Sequence, residues 1–597
     1  MLPGITSFTV VDGSLGLSPE DFTGIKVVLG TANSGLYNQI YSFNSAQDAK
    51  VVLGGGRLVN AISTSLDIAG GPIYALRMAT SVAGTVGTQI KFLQAGSDGV
   101  LATTGSNPVE DCEVVITLTR AGKVGTAPYP AFTYSLDGGV SISEEIAVPV
   151  AGTYTIPNTG IVLVFSDGGT GFKIGDKFTF NTTAAMWNNS DLGAALTALL
   201  ADNTKNYEFI HIVGPVDSTL ASTVASYMTI AETNERYIHA ICETRDMSYI
   251  GTLDSADNTF PMTFAGGETL KIQVSTDFGQ TFPTTRTFTF PAVAYANIAA
   301  LVTALNVQSF TGGLFTVTST GAKLRITFYS NKGQVVLKVD PTSTGIGAAL
   351  IQYTGSQTIS GETEDAWMTS LQTAFASFVS PRVMIVAGHA EQYCSIVKRY
   401  VRESGAWLVS GRESLVPISE DLGSVERGAL PLLITADPTA GIYAIYHDED
   451  AKYGLDPARF TTLRKNKGLP GYYITQGRMF ASVGSDFTFS QYRRVIDRAS
   501  FLYNTIAKTF INKRVRVNAN GTLYIVDRKN IEDAIRAYIS NNMQGEIIDV
   551  TVVVDPNVNV LSTQQMKVDV AILPYGYIKY IQLRIGYAPV QTTVSVV

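Results

Sequence analysis

The chain has 597 residues, 45% of them hydrophobic and only 16% charged, and it carries 55 glycines. That length exceeds what one hydrophobic core organises, so three or four domains of roughly 100 to 200 residues each are expected. A formal net charge of −7 excludes a globally basic nucleic-acid binder. Cys112, Cys242 and Cys394 lie far apart and include no CxxC, which excludes a disulfide framework and a thiolate metal site.

Those distant cysteines make folding in a reducing cytoplasm the expectation, and the N-terminal "MLPGITSFTVVDGS" has neither a basic n-region nor a continuous apolar core, so neither secretion nor membrane insertion is expected. "GIKVVLGTA" (Gly24–Ala32) reads as a buried strand, "SAQDAKVVLG" and "GGRLVNAISTSLDIAGG" as helices, and "PIYALRMA" (Pro72–Ala79) as a second strand. Helix, strand, helix and strand follow in "SDLGAALTALLADN", "YEFIHIVGP", "STLASTVASYMTIAETNE" and "RYIHAICETR". "TEDAWMTSLQTAFASF" then reads as a helix, "RVMIVAGHA" as a strand and "QYCSIVKRYVRESG" as a helix. Such alternation predicts a partly parallel sheet covered by helices.

The period changes from 3.6 to 2 at Val82 and Ser248 and changes back near Asn188 and Glu362. The two intervening Gly/Thr-rich stretches therefore read as inserted β domains. Each contains a Ser-x-Asp-x-Gly turn, "YSLDGGVSI" and "VSTDFGQTF", that resembles the Asp-box hairpin. There Asp137 and Asp277 would accept hydrogen bonds from turn amides, while Gly139 and Gly279 would permit positive φ.

Beyond Ser490, "QYRRVIDRASFLYNTIAKTFI" reads as a helix with Val495, Phe501, Leu502, Ile506 and Phe510 on one stripe. "DRKNIEDAIRAYISNNMQG" reads as a second helix with Ile531, Ile535, Tyr538 and Ile539 inward. "IIDVTVVVDP" and "QMKVDVAILPYGYIKYIQLRIGYA" read as antiparallel strands. From Ser490 to Gly545 ten Lys/Arg face four acids, a local net of +6. This points to an acidic protein surface as partner, with Arg528, Lys529 and Arg536 on the solvent side of their helix.

The fold class is thus α/β and α+β, multidomain. The expected segmentation is an N-terminal arm (1–23), an α/β core in three parts (24–81, 188–247 and 362–489), β domains at 82–187 and 248–361, a C-terminal α+β domain (490–589) and a C-terminal arm (590–597).

Candidate chemistry is sparse. His211 and His239 lie in apolar strand patterns and read as ordinary strand residues. His389 ends a strand with no Ser or Cys motif beside it. "YHDEDAKYGLD" gathers His447, Asp448, Glu449, Asp450 and Asp456 at a spacing that matches no EF-hand or zinc pattern, so a solvated loop is expected. Gly54, Gly55 and Gly56 precede a helix without a Gly-Lys-Ser/Thr continuation and read as a helix-entry turn. No catalytic, cofactor or metal residue is assigned.

The closing "APVQTTVSVV" sets Val590, Thr592, Val594 and Val596 at strand spacing, with no turn to fold them back on the preceding run. Their partner is expected in another molecule.

"PGI" at the start, "GGPIYALRM" (Gly70–Met78), "LDPARFTTLRKNKGLPGYYITQGRMF" (Leu455–Phe480), "RRVIDRA" (Arg493–Ala499) and the C-terminal strand, Pro and strand ending together resemble contractile tail sheath proteins of bacteriophages and related injection systems. The resemblance spans residues 1–81, 188–247 and 362–589 and leaves out both β inserts. It implies a structural, non-enzymatic subunit without a cofactor, in a helical homo-oligomer around an inner tail tube, with baseplate and tail terminator proteins as further partners. It implies assembly in the host cytoplasm and residence in the virion tail, with contraction driving the tube through the bacterial envelope, and no nucleic-acid or membrane partner. The C-terminal domain would form the inner layer, with Arg528, Lys529 and Arg536 facing the tube. Terminal arms carrying Ile5, Phe8 and Val10 and Thr592, Val594 and Val596 would add strands to neighbouring subunits. Two other classes remain open: a β-rich surface or adhesin-type binding protein, which would explain the inserts but not the α/β segments, and a glycan-processing enzyme, for which two Asp boxes are too few.

Overall fold

The computed structural model describes residues 22–87, 89–202, 204–248, 250–275, 281–311, 315–329, 336–344, 358–437, 443–583 and 585–587. Ile5, Phe8 and Val10 of one expected arm, Thr592, Val594 and Val596 of the other, and Asp277 and Gly279 lie outside the described residues. The chain divides into two compact units. The larger runs to Pro417 and resumes over Leu422–Arg493, and the smaller gathers Ile418–Asp421 and the chain from Arg494 onward.

The larger unit is built on a six-stranded sheet. Strands β1 (Lys26–Gly30), β2 (Ile40–Phe43), β3 (Ile73–Arg77), β4 (Phe209–Pro215), β5 (His239–Glu243) and β6 (Val383–Val386) lie in the order β2-β3-β1-β4-β5-β6. All pairs are parallel except β2 with β3. Every residue of β1 and β6 is buried, because helices cover both faces and neither face can be polar.

Helices α1 (Ala46–Leu53) and α2 (Arg57–Ala69) cover Val28 and Ala75 on one face. On the other face, α3 (Asn189–Ala201), α4 (Ser218–Thr233) and α5 (Glu364–Ala374) cover Val27, Leu29, Ile210, Ile212, Ala240, Val383 and Ile385. Helix α3 begins where its sequence supplies a reciprocal cap: the Asp191 amide donates to Asn188 Oδ1 and the Asn188 amide to Asp191 Oδ2, each at 3.0 Å.

The first β region is entered and left through a pair of backbone hydrogen bonds between Val82 and Met186, 2.9 and 2.8 Å long. It has its own sheets and a core around Phe132, Phe165, Phe172 and Phe178. Its Asp-box turn forms locally: the Ser141 amide donates to Asp137 Oδ1 at 2.8 Å, and Gly139 takes φ +105°. The second β region likewise has separate sheets and its own core, including Phe264, Phe290 and Phe315. At its base the Glu362 amide donates to the Ser248 carbonyl at 2.7 Å, and Arg245 grips the Glu362 carboxylate through two bonds of 2.6 Å.

One expected helix is a hairpin. "QYCSIVKRYVRESG" forms most of strands β7 (His389–Cys394) and β8 (Arg399–Ser404), paired antiparallel from His389↔Ser404 to Cys394↔Arg399. Lys398 at φ +56° makes the turn, a conformation no helix interior accommodates. Tyr393 and Tyr400 then face each other across the ladder, with ring centroids 5.4 Å apart. Helix α6 (Ala406–Leu415) follows and packs near Ile241, Met384 and Val386.

In the smaller unit, α7 (Ser490–Ala507), whose first residues belong to the larger unit, buries Val495, Leu502 and Ile506 against Ile531, Ile535 and Ile539 of α8 (Ile525–Asn542). Strands β9 (Asp549–Val554) and β10 (Val568–Leu573) pair antiparallel, with Val550, Val552 and Val554 turned into the same core. Ile418, from the distant segment Ile418–Asp421, is buried there as well. The long final strand expected from "QMKVDVAILPYGYIKYIQLRIGYA" is cut short. It ends at Leu573 because Pro574 has no amide to continue the ladder, and no described residue from Pro574 onward lies in a strand.

Candidate functional site

Beyond Pro574 the smaller unit leaves a sequence of strand character uncovered. Ile578, Tyr580, Ile581, Leu583 and Ile585 each expose between 74% and 85% of their surface, and Tyr587 is fully exposed. A run of large apolar side chains in water marks a candidate interaction surface. Read at the period of a strand, Tyr577, Lys579, Ile581, Leu583, Ile585 and Tyr587 share one phase. The first two are tied down: the Tyr577 hydroxyl donates to the Ser419 carbonyl, and the Lys579 ammonium pairs with the Asp421 carboxylate. The last four have no such cover. The β9–β10 sheet has only two strands, so among the described residues each strand keeps an outer edge of backbone donors and acceptors unpaired within the sheet.

The three basic residues expected to face a partner sit on α8. Lys529 and Arg536 are exposed, whereas Arg528 is largely covered on the flank of the Ile531–Ile535 stripe. Each has an acid on its own helix: Lys529 Nζ lies 2.6 Å from Glu532 Oε2, Arg528 3.9 Å from Glu532 Oε1 and Arg536 3.7 Å from Asp533. Glu532 is buried and also accepts the Val554 amide at 3.0 Å, so it fastens α8 to β9. Arg493 and Arg494 are buried too, so the +6 stretch is not one open basic face.

The acidic loop after His447 is solvated only in part, with Asp450 exposed. His447, Glu449 and Asp456 are buried, with His447 Nδ1 2.9 Å from Glu364 Oε1 and Nε2 2.8 Å from Glu449 Oε2. Glu449 Oε1 takes the amides of Gly454 at 2.7 Å and Asp456 at 3.0 Å, which folds the loop inward. Burial opposes charge on the ring, but the two carboxylates prevail and hold the His447 pKa above the ordinary histidine value. The loop thus anchors the start of α5.

A second buried polar network, with no marker in the local sequence, lies beneath α6. Glu243 Oε1 accepts from Trp407 Nε1 at 2.8 Å and lies 3.2 Å from His211 Nε2, while Glu243 Oε2 accepts the Gly214 amide at 2.9 Å. Arg57 binds Glu403 Oε2 through Nη2 at 2.5 Å, and His239 Nε2 lies 3.2 Å from Glu413 Oε1. Burial lowers the Lys26 pKa to about 7, against the pull of Glu413, and raises that of Glu403 to about 8, against Arg57. Only the meeting of stretches far apart in sequence, at Lys26, Arg57, His211–Gly214, His239–Glu243 and Glu403–Glu413, creates this cluster. His389 is buried near Asp246, 3.6 Å away. Gly54 is a packing turn at φ +75°, where a Cβ would come within 1.8 Å of Asn33 Oδ1. Among the described residues no three His, Cys, Asp or Glu side chains are placed to hold a metal, and no helix is long and apolar enough to cross a membrane.

Fold and surface together define a mixed α/β protein of two units, the smaller carrying an exposed apolar run. Residues 2–266 and 340–478 match the family described as DUF2586, N-terminal domain, and residues 486–592 match DUF2586, C-terminal domain; the chain belongs to this family. The match takes in the first β region and passes over 267–339 of the second. No curated protein matches the chain. Among solved structures, a sheath tail protein of Desulfitobacterium hafniense is 10% identical, with 96% of this chain and 100% of that chain covered at a TM-score of 0.39. A sheath tail protein of Listeria innocua is 10% identical, covering 94% of this chain and 97% of that chain at 0.37. The contracted helical sheath of the anti-feeding prophage is 9% identical, covering 98% and 99% at 0.41.

Proposed function

We propose that this chain is the sheath subunit of a contractile tail or injection particle, polymerising as a helix around an inner tube that its contraction drives through a bacterial envelope. The observation that carries the reading is the exposed run Ile581, Leu583, Ile585 and Tyr587 beside a two-stranded sheet with open edges. An apolar strand without a partner and a sheet without a third strand in the same unit complement each other between copies. The C-terminal run of one subunit adds to the β9–β10 sheet of the next, joined by residues 4–11 and 590–597 as further strands. Every open edge is then covered, and subunits stay linked by their own backbone while rigid bodies rearrange between two packings.

Lys529 and Arg536 face the tube in this arrangement, and the two β regions, each with a core of its own, are carried on the outside. The baseplate and a terminator cap the ends. The particle forms in the host cytoplasm and serves as part of a virion tail. Electron microscopy of purified chain ending at Tyr580 tests the reading, because that truncation spares every buried residue among the described residues of the unit. The expected result is a folded subunit that forms no tubes where the full chain does. Tubes of normal length from the truncated chain would overturn it.

A further inference from the structure

We propose that Ser419 and Asp421 form a register clip that decides which face of the C-terminal run is offered to a neighbouring copy. The proposal rests on the strand-sharing reading above. The clip is firmly placed: Ile418 is buried in the core of the smaller unit, and the Ser419 amide donates to Glu546 Oε2 at 3.0 Å. Its two ties to the run are two residues apart on both sides and run in the same direction, Ser419 to Tyr577 and Asp421 to Lys579.

Side chains of a strand alternate with a period of 2, so two ties at that spacing select one phase and exclude the other. The phase selected continues through Ile581, Leu583, Ile585 and Tyr587, all apolar. The alternative phase begins with Ile578 and Tyr580 but continues through Gln582, Arg584 and Gly586, so its apolar character stops where that of the selected phase goes on. A slip of one residue would therefore turn the binding face away from the receiving sheet. The tie that sets this phase is polar and lies outside the apolar strand itself, so it acts before the neighbour arrives. Ser419 and Asp421 are positioning residues: they shape the strand that docks and do not touch the neighbour.

The test compares full-length wild type, Asp421→Lys, Lys579→Asp and the exchanged pair Asp421→Lys with Lys579→Asp. For each, the critical concentration for tube formation is measured by sedimentation, and the unfolding midpoint of the unassembled protein is recorded alongside. Each single reversal should raise the critical concentration about fivefold or more, the scale of one partly buried ion pair. The exchanged pair should return it to within about twofold of wild type, with unfolding midpoints unchanged, which a merely stabilising contact would not produce. Asp421→Asn, which keeps the side-chain shape, is read in the same assay and should fall on the side of the single reversals. Wild-type assembly by both Asp421→Lys and Asp421→Asn, or failure of the exchanged pair to recover, would overturn the clip. The chain ending at Tyr580 separates the two ideas. If it forms tubes, strand sharing itself fails; if it does not and the reversals assemble normally, only the clip fails.

Discussion

Replacing Leu583 by alanine probes the assembly surface with little disturbance of the subunit. Leu583 is 74% exposed in the isolated chain, so its side chain contributes little to folding. Covered by a neighbouring sheet, the same side chain would leave water. Leucine to alanine removes about three carbons, each worth about 0.8 kcal/mol when buried, so about 2 kcal/mol of association is lost. At about 1.4 kcal/mol per tenfold, the critical concentration for tubes should rise about thirtyfold. Sedimentation across a concentration series measures that rise, with negative-stain microscopy to identify the pellet. Unassembled protein should unfold as wild type does, within about 0.5 kcal/mol, the usual range for an exposed position. An unchanged critical concentration would refute the argument. So would a loss of about 2 kcal/mol in the unassembled protein, since it would place Leu583 in an intramolecular core.

His447→Gln should destabilise the larger unit by about 3–5 kcal/mol near pH 6, because it leaves Glu449 buried without its cation. The folded pKa of His447 is raised, so its contribution is complete below about pH 6.5 and fades as pH rises through the folded value. Urea melts of both proteins should accordingly diverge most between pH 5.5 and 6.5 and converge toward pH 9, whereas a pH-independent gap would show that the ring is not charged in the fold. Replacing residues 249–361 by a short Gly-Ser linker should leave a soluble, cooperatively unfolding protein, since the Glu362 amide already meets the Ser248 carbonyl at 2.7 Å; insolubility on expression would count against an independent second β region. Arg536→Glu should weaken co-assembly with the tube protein, more at low salt than at high salt, while sparing the buried Glu532 that a triple reversal with Arg528 and Lys529 would orphan. Equal co-assembly at low salt would remove α8 from the tube-facing surface.

Several parts of the molecule follow from local sequence alone. The all-apolar stretch Val27–Leu29 and the four-residue spacing of Ile531, Ile535 and Ile539 encode one buried strand and one helix whatever surrounds them. The Asp137 turn closes on hydrogen bonds within a few residues. The order of these elements also announces a partly parallel sheet interrupted by β regions. The strand expected to open the ending, from Val590 onward, lies outside the described residues, and the exposed run before it was read from sequence as a paired strand.

Tertiary contacts decided the rest. Gln392–Gly405 has the length and composition of a helix, and it became a hairpin because a tight turn at Lys398 set Tyr393 against Tyr400. The acidic residues after His447 read as a solvated loop because charge is normally hydrated. Glu364, more than eighty residues away, and the amides gathered by Glu449 offset that desolvation. The clip could not be read at all, because Ser419 and Asp421 lie 158 residues from Tyr577 and Lys579 and carry no motif. Periodicity records which side of an element is apolar, but not which distant polar group meets it; that pairing depends on the three-dimensional path of the chain between them.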